Sequence, residues 1–98
     1  MANYITLINW TEQGVKTYEK TLDRYQATSE LAGKFGASLN QIYWTLGEYD
    51  IVGVLEAPDD ETATAFALAL SSWGNVRTKT MRAFSADEMR QIVAKASG

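Results

Sequence analysis

The chain has 98 residues, a formal net charge of −3 at pH 7, and neither cysteine nor histidine. This length predicts a single domain over residues 1–98. Without cysteine there is no disulfide, and without histidine the chain lacks the commonest general base and the commonest ligand for metals and haem. We therefore predict no metal site and no cofactor. The negative charge also disfavours binding to nucleic acid and to anionic membranes.

The sequence predicts neither a membrane span nor an export signal. No run of about 18 consecutive apolar residues is present. Residues 1–10 lack the basic start and the long apolar core of a signal peptide. We expect a cytoplasmic protein that has no membrane partner.

A β-hairpin is predicted at the centre of the chain. Residues 39–46 mix β-branched and aromatic side chains with polar ones, a composition typical of a half-buried strand. Gly47 can adopt a positive φ and so reverse the chain. Residues 51–55 are apolar at odd and even positions alike, which indicates a central strand covered on both faces. Pro58 closes that strand.

The first predicted strand, residues 3–10, has two chemically different faces. Ile5 and Leu7 share an aliphatic face, because successive side chains of a strand alternate. We expect this aliphatic face to lie under the helices and the opposite face to meet a partner or line a pocket. The opposite face mixes aromatic, aliphatic and hydroxyl groups and consists of Tyr4, Thr6, Ile8 and Trp10.

Apolar periodicity and capping signals predict three helical segments. The first covers residues 15–35, with an interruption near residues 21–23, and ends at Gly36. The second opens at the acidic residues 59–61, and the third at a capping box in residues 85–88. The buried stripe of the first helix is expected to consist of Val15, Tyr18, Leu22, Tyr25 and Ala32.

The element order predicts an α+β fold. Residues 76–84 alternate and carry hydroxyl and cationic side chains, which is typical of a soluble edge strand. The order is then β-α-β-β-α-β plus a C-terminal helix, a ferredoxin-like domain whose four-stranded antiparallel sheet has the first and third strands in its middle. Helices on one face leave the other face as an exposed apolar patch. We expect a second copy to cover it, giving a homodimer with a dimeric α/β barrel, or a larger homo-oligomer.

Residues 43–50, Tyr-Trp-Thr-Leu-Gly-Glu-Tyr-Asp, resemble the signature of the GYD domain family. Flanking pieces in residues 11–14, 56–62 and 74–84 are also similar, so the resemblance extends over most of the chain. The family is similar in fold to dimeric α/β-barrel proteins and has no established activity. The resemblance thus implies the fold and the dimer, and it leaves the function open.

Six residues form the candidate ligand-binding site, and no catalytic residue is assigned. Asp50 has two interpretations, since it either accepts backbone N–H bonds of its own turn or meets Arg77 or Arg82 at the mouth of a pocket. The aromatic side chains suit a core, an interface or the wall of a site for a small aromatic or apolar molecule, and an arginine would orient an acidic group on that molecule. The full set is Trp10, Tyr43, Tyr49, Asp50, Arg77 and Arg82.

Three hypotheses for the function follow. The first is a small cytoplasmic homo-oligomer that binds a partner or a small ligand without catalysis, because the usual catalytic residues are missing. The second is a cofactor-independent enzyme, oxygenase-like or isomerase-like, acting on a small aromatic or apolar acid in an inter-subunit cavity. Asp50, Tyr43, Tyr49 and an arginine would then handle the protons. The third is a purely structural assembly module.

Overall fold

A computed structural model describes residues 1–98 and contains one four-stranded antiparallel sheet. The strand order is β2-β3-β1-β4, so the first and third strands lie in the middle, as the sequence predicts. The hairpin is confirmed, with residues 45–50 connecting its strands and a φ of 128° at Gly47. The strands are β1 Ala2–Trp10, β2 Ser38–Trp44, β3 Ile51–Ala57 and β4 Val76–Ala83.

The predicted helices are present, and the ferredoxin-like order of elements is confirmed. The first segment ends as expected, with Gly36 at φ 70°. The capping box of the last helix forms between Ser85 and Glu88. None of the helices is both long enough and apolar enough to cross a membrane. They are α1 Glu12–Lys16, a 3₁₀ turn at Tyr18–Lys20, α2 Thr21–Lys34, α3 Asp60–Ser72 and α4 Ala86–Ala96.

The first helical segment breaks at Thr17, one turn earlier than predicted. Thr17 leaves the helical region, with φ −119° and ψ 44°, and the Arg24 guanidinium satisfies the freed carbonyls of Gly14 and Thr17. The break changes the helical register, so a single stripe of three- and four-residue steps does not run through it. The first half of the predicted buried stripe is therefore wrong, because Val15, Tyr18 and Leu22 are exposed. Only Ala32 of α2 is fully buried.

The core lies between α2, α3 and one face of the sheet. It is built around the fully buried Leu55 of the central strand β3, and the rings of Phe35 and Phe66 meet edge to face with centroids 6.4 Å apart. Small residues let α3 approach the sheet closely. The buried cluster consists of Tyr4, Ala32, Ala37, Leu55, Ala57, Ala63, Phe66 and Leu70.

The assignment of the two faces of β1 from sequence is wrong. The mixed face lies under the helices, with Tyr4 and Thr6 only 3 % and 5 % exposed, whereas Ile5 and Leu7 lie half-buried on the open face. The polar atoms of the mixed face are satisfied where they lie. The Tyr4 hydroxyl donates to Asp60 of α3, and the hydroxyls of Thr6 and Thr80 are 3.5 Å apart across the strand pair.

Substitution of Gly14 by alanine should destabilise the fold. A Cβ at Gly14 would overlap the backbone carbonyl of Asn75, so Gly14→Ala should lower the free energy of unfolding by about 1–3 kcal/mol, the usual cost of overpacking. Gly33→Ala is the matched control, because nothing lies near that Cβ and alanine favours the helix by about 0.5–1 kcal/mol. Urea denaturation of both variants measures the difference. Equal stability of the two variants would contradict the contact.

Candidate functional site

The open face of the sheet has an apolar centre that no helix of the chain covers. The strand register places Leu7 beside Val52 and Ile5 beside Val54 in two adjacent rows. Tyr43 extends the first row on β2, and on β4 the second row ends at an exposed methionine, Met81. The centre is therefore a contiguous aliphatic and aromatic surface on the opposite side from the core.

Charged and amide side chains surround this apolar centre. Glu56 and Asn3 are register partners at one end of the face. Asn9 and Arg77 are partners at the other end, and Lys79 lies beside Leu7 on the edge strand. An apolar centre with a polar rim is the usual anatomy of a protein–protein interface.

Asp50 fastens the hairpin loop to the first strand. Its carboxylate accepts a hydrogen bond from the backbone N–H of Trp10 at 2.9 Å, and its own N–H donates to the carbonyl of Ile8 at 3.0 Å. It thus continues the β1–β3 ladder beyond the last paired residues. The prediction that Asp50 meets Arg77 or Arg82 is wrong, since it forms no ion pair, and it also does not cap its own turn.

Three of the six predicted site residues, Tyr43, Tyr49 and Arg77, lie on the open side of the sheet, but Tyr43 and Arg77 belong to the opposite edge strands β2 and β4. Tyr43 is exposed beside Val52, and Arg77 is exposed opposite Asn9. The Nζ of Lys79 lies 5.8 Å from the centroid of the Tyr49 ring, which places the hairpin loop over the end of this face. Sequence reasoning missed Lys79. The signal for it is that Lys79 is two residues from Met81 on the edge strand, so both side chains lie on the same face of the sheet.

Trp10 lies on the other side of the sheet, at an apolar cavity between α2 and the sheet. The cavity has a volume of about 50 Å³, well below the roughly 300 Å³ of a typical small-molecule pocket. Trp44, whose orientation the sequence does not reveal, also lines it. Its indole N–H donates to the Thr21 hydroxyl at 2.9 Å, and its ring meets Tyr25 edge to face with centroids 6.0 Å apart. Trp10 is therefore separated from Tyr43 and Tyr49 by the sheet.

Arg82 also lies on the helix-covered face, where it joins three elements. Its guanidinium is 4.0 Å from Asp60 of α3 and 3.4 Å from Glu88 of α4. It stacks between two rings, with its central carbon 5.7 Å from the Tyr4 centroid and 4.5 Å from that of Phe84. Both of its charge partners belong to the same chain, and this arrangement holds the starts of two helices against the edge strand.

Tyr4 is fixed in its neutral form by its surroundings. Burial, together with the hydrogen bond to Asp60 and the charge of that carboxylate, raises the pKa of Tyr4 to about 12. The phenol therefore stays protonated at neutral pH and does not serve as a base. The pKa of Glu88 lies below its usual range, first because the backbone N–H of Ser85 donates to it and then because Arg82 is close.

Comparison with known proteins gives two findings about sequence. A model of the GYD domain family matches residues 4–93. A protein of Thermus thermophilus, named glutamine synthetase and cystathionine beta-lyase binding protein, is 37% identical over 84 residues. The match covers 85% of this chain and 88% of that relative.

Comparison of structures points the same way. A crystal structure of TTHA0845 from Thermus thermophilus superposes with a TM-score of 0.58 and 25% identity, covering 88% of this chain and 96% of that one. The leucine response regulatory protein LrpA of Mycobacterium tuberculosis gives a TM-score of 0.66 at 13% identity, covering 87% of this chain and 51% of that one. The second likeness is one of fold alone.

The raised pKa of Tyr4 predicts a loss of stability at high pH. Tyrosine in the unfolded chain ionises near pH 10, whereas folded Tyr4 keeps its proton up to about pH 12. Its contribution to stability is therefore complete below pH 10 and falls as pH rises from 10 to 12. Chemical denaturation between pH 8 and 12 should show a shallower decline for Tyr4→Phe than for the wild type. Exposed Tyr18→Phe serves as the control and should keep the wild-type slope.

Proposed function

The chain belongs to the GYD domain family, and we propose that it is a small cytoplasmic homodimer that binds partner proteins without catalysing a reaction. The observation that carries this proposal is the open sheet face, with its apolar centre and polar rim. Binding requires such a surface, whereas catalysis requires activated groups. Every buried side-chain nitrogen and oxygen of this chain already has a hydrogen-bond partner within it.

The dimer follows from the need to cover both faces of an amphipathic sheet. A sheet is stable when each apolar face packs against another layer, and the helices of this chain supply only one layer. A second copy offers the same apolar surface, so two open faces can meet around a two-fold axis. Each Å² of apolar surface removed from water contributes about 25 cal/mol, which favours this association.

Partner binding is supported by the name of the Thermus relative and by a second apolar surface on this chain. The relative is named for binding glutamine synthetase and cystathionine beta-lyase. On this chain Val15, Tyr18 and Leu22, which lie on either side of the break at Thr17, are exposed. We call these three residues the α1–α2 patch. It remains free when the sheet faces are joined, and we propose that it contacts an enzyme of one of those two classes.

The enzyme hypothesis has one supporting feature. Tyr43, Tyr49 and Arg77 lie on the open side of the sheet, where a second copy would enclose a small aromatic acid. The carboxylate of Asp50, one of the groups expected to handle protons, instead accepts a hydrogen bond from the backbone N–H of Trp10. Partner binding is therefore the better supported proposal, and a small aromatic acid remains the second candidate occupant of this face.

Substitution of Leu7 by glutamate should dissociate the dimer. The introduced carboxylates would place a charge from each copy in the apolar centre without a partner, which costs several kcal/mol. We expect the wild type to sediment as a dimer at micromolar concentration and Leu7→Glu to sediment as a monomer with an unchanged circular dichroism spectrum. Gln26→Glu, an exposed position on α2, adds the same charge and should remain dimeric. A monomeric wild type at that concentration would contradict the dimer.

Truncation of the α1–α2 patch should weaken partner binding. Purified glutamine synthetase and cystathionine beta-lyase from the organism that encodes this chain are the partners to test by biolayer interferometry. Tyr18→Ala and Leu22→Ala should each raise the Kd about tenfold or more, because large apolar and aromatic side chains are typical binding hot spots. Lys34→Ala, an exposed position at the other end of α2, should change the Kd less than twofold. Failure of the wild type to bind either enzyme would contradict the proposed partners and leave the dimer untouched.

A further inference from the structure

The C-terminal helix α4 is well formed and yet buries none of its residues. Its capping box is complete, with Glu88 N–H donating to the Ser85 hydroxyl at 3.2 Å and the Ser85 N–H to the Glu88 carboxylate at 2.9 Å. Met89, Ile92 and Val93 recur at three- and four-residue steps and form an apolar stripe. Met89 and Val93 are about half exposed and Ile92 is only partly buried, so no residue of the stripe is buried by its own chain.

The first turn of α4 is held on the helix-covered side of the sheet. Arg82 lies on the helix-covered face, opposite Tyr4, and its guanidinium is 3.4 Å from Glu88 in the first turn of α4. The apolar open face lies on the other side of the sheet, so the anchored helix does not fold back over it. The domain is elongated as a result, with a radius of gyration of 14.8 Å and a longest extent of 52 Å. A compact chain of this length has a radius of gyration of about 12.6 Å.

We propose that α4 is an arm that packs its apolar stripe against a second copy of the chain, in the same two-fold dimer that joins the open faces. This inference rests on the proposed homodimer. In such a dimer each copy both extends an arm and receives one, so the open face and the α4 stripe are covered together. Exposed Phe84 lies between the end of β4 and the start of α4 and adds to the uncovered apolar surface there.

The area of the open face supports a second copy as the occupant. Four strands at 4.8 Å spacing and about eight residues in length present roughly 500 Å² per copy. A stable interface takes about 800 Å² from each partner, so the sheet alone is too small. An eleven-residue helix about 10 Å wide presents roughly 160 Å². Because each copy contributes both an arm and the surface that receives one, the arm brings the total to about 800 Å².

A charge placed on the stripe should weaken the dimer. Val93→Glu should raise the dimer dissociation constant at least tenfold in a sedimentation dilution series. Gln91→Glu adds the same charge on the opposite side of α4 and should change it less than twofold. Both positions are exposed and neither packs in the core, so the fold should persist in both variants. Circular dichroism checks this.

A photo-crosslink identifies what the stripe touches. The chain has no cysteine, so Val93→Cys and Gln91→Cys each give one site for a benzophenone maleimide label. Irradiation of labelled Val93→Cys should yield a covalent dimer on a denaturing gel, and labelled Gln91→Cys should yield at least five times less. Peptide mapping of the covalent dimer reports which part of the second copy is reached.

The outcomes separate this inference from the proposed dimer. If Leu7→Glu dissociates the protein but Val93→Glu does not, the dimer stands and the arm is refuted. If labelled Val93→Cys crosslinks only within its own chain, or only to an added partner enzyme, the arm is likewise refuted. If the wild type is monomeric, both proposals fail. A tenfold rise in the dimer dissociation constant with Val93→Glu, together with the covalent dimer, establishes the arm.

Discussion

The structure depends on one imbalance: the sheet has two apolar faces, and the chain supplies helices for only one of them. The central strand β3 shows this most clearly. Ile51, Leu55 and Ala57 are buried under the helices, while Val52 and Val54 face the open side. Residues of both kinds lie within one continuous apolar run, so the run requires a second layer that a single copy lacks. The proposed dimer and the proposed arm are both consequences of this shortage.

Polar side chains in this domain mainly replace missing backbone partners. Asp50 supplies the acceptor that the N–H of Trp10 would otherwise lack where β1 leaves β3. Arg24 does the same for the carbonyls freed by the break at Thr17. Arg82 fixes the starts of α3 and α4 to the edge strand. Such groups look like site residues in a sequence because acids and arginines near aromatic residues are typical of binding sites. In this structure these groups are instead bonded to other parts of the same chain.

The sequence was sufficient to predict the element order, the central strands, the hairpin and the last capping box, because each of these depends on local signals. It failed for the faces of β1. Tyr4 and Thr6 look too polar for a core until Asp60 and Thr80, more than fifty residues away, satisfy their hydroxyls. It also placed Trp10 and Arg82 with Tyr43, although the sheet separates them. Long-range partners decided these cases, and no local pattern contains them.

The two helices that cover the core are held with unequal strength. Only Ala32 of the fourteen residues of α2 is fully buried, whereas α3 buries Ala63, Phe66 and Leu70. A cavity lies beneath α2, and the Trp44 indole N–H donates a hydrogen bond to Thr21 in the first turn of α2. Detachment of α2 therefore requires less free energy than global unfolding, and its amides will exchange with solvent earlier than those of α3. Local opening of the domain is therefore expected at α2, the helix that contains Leu22 of the α1–α2 patch.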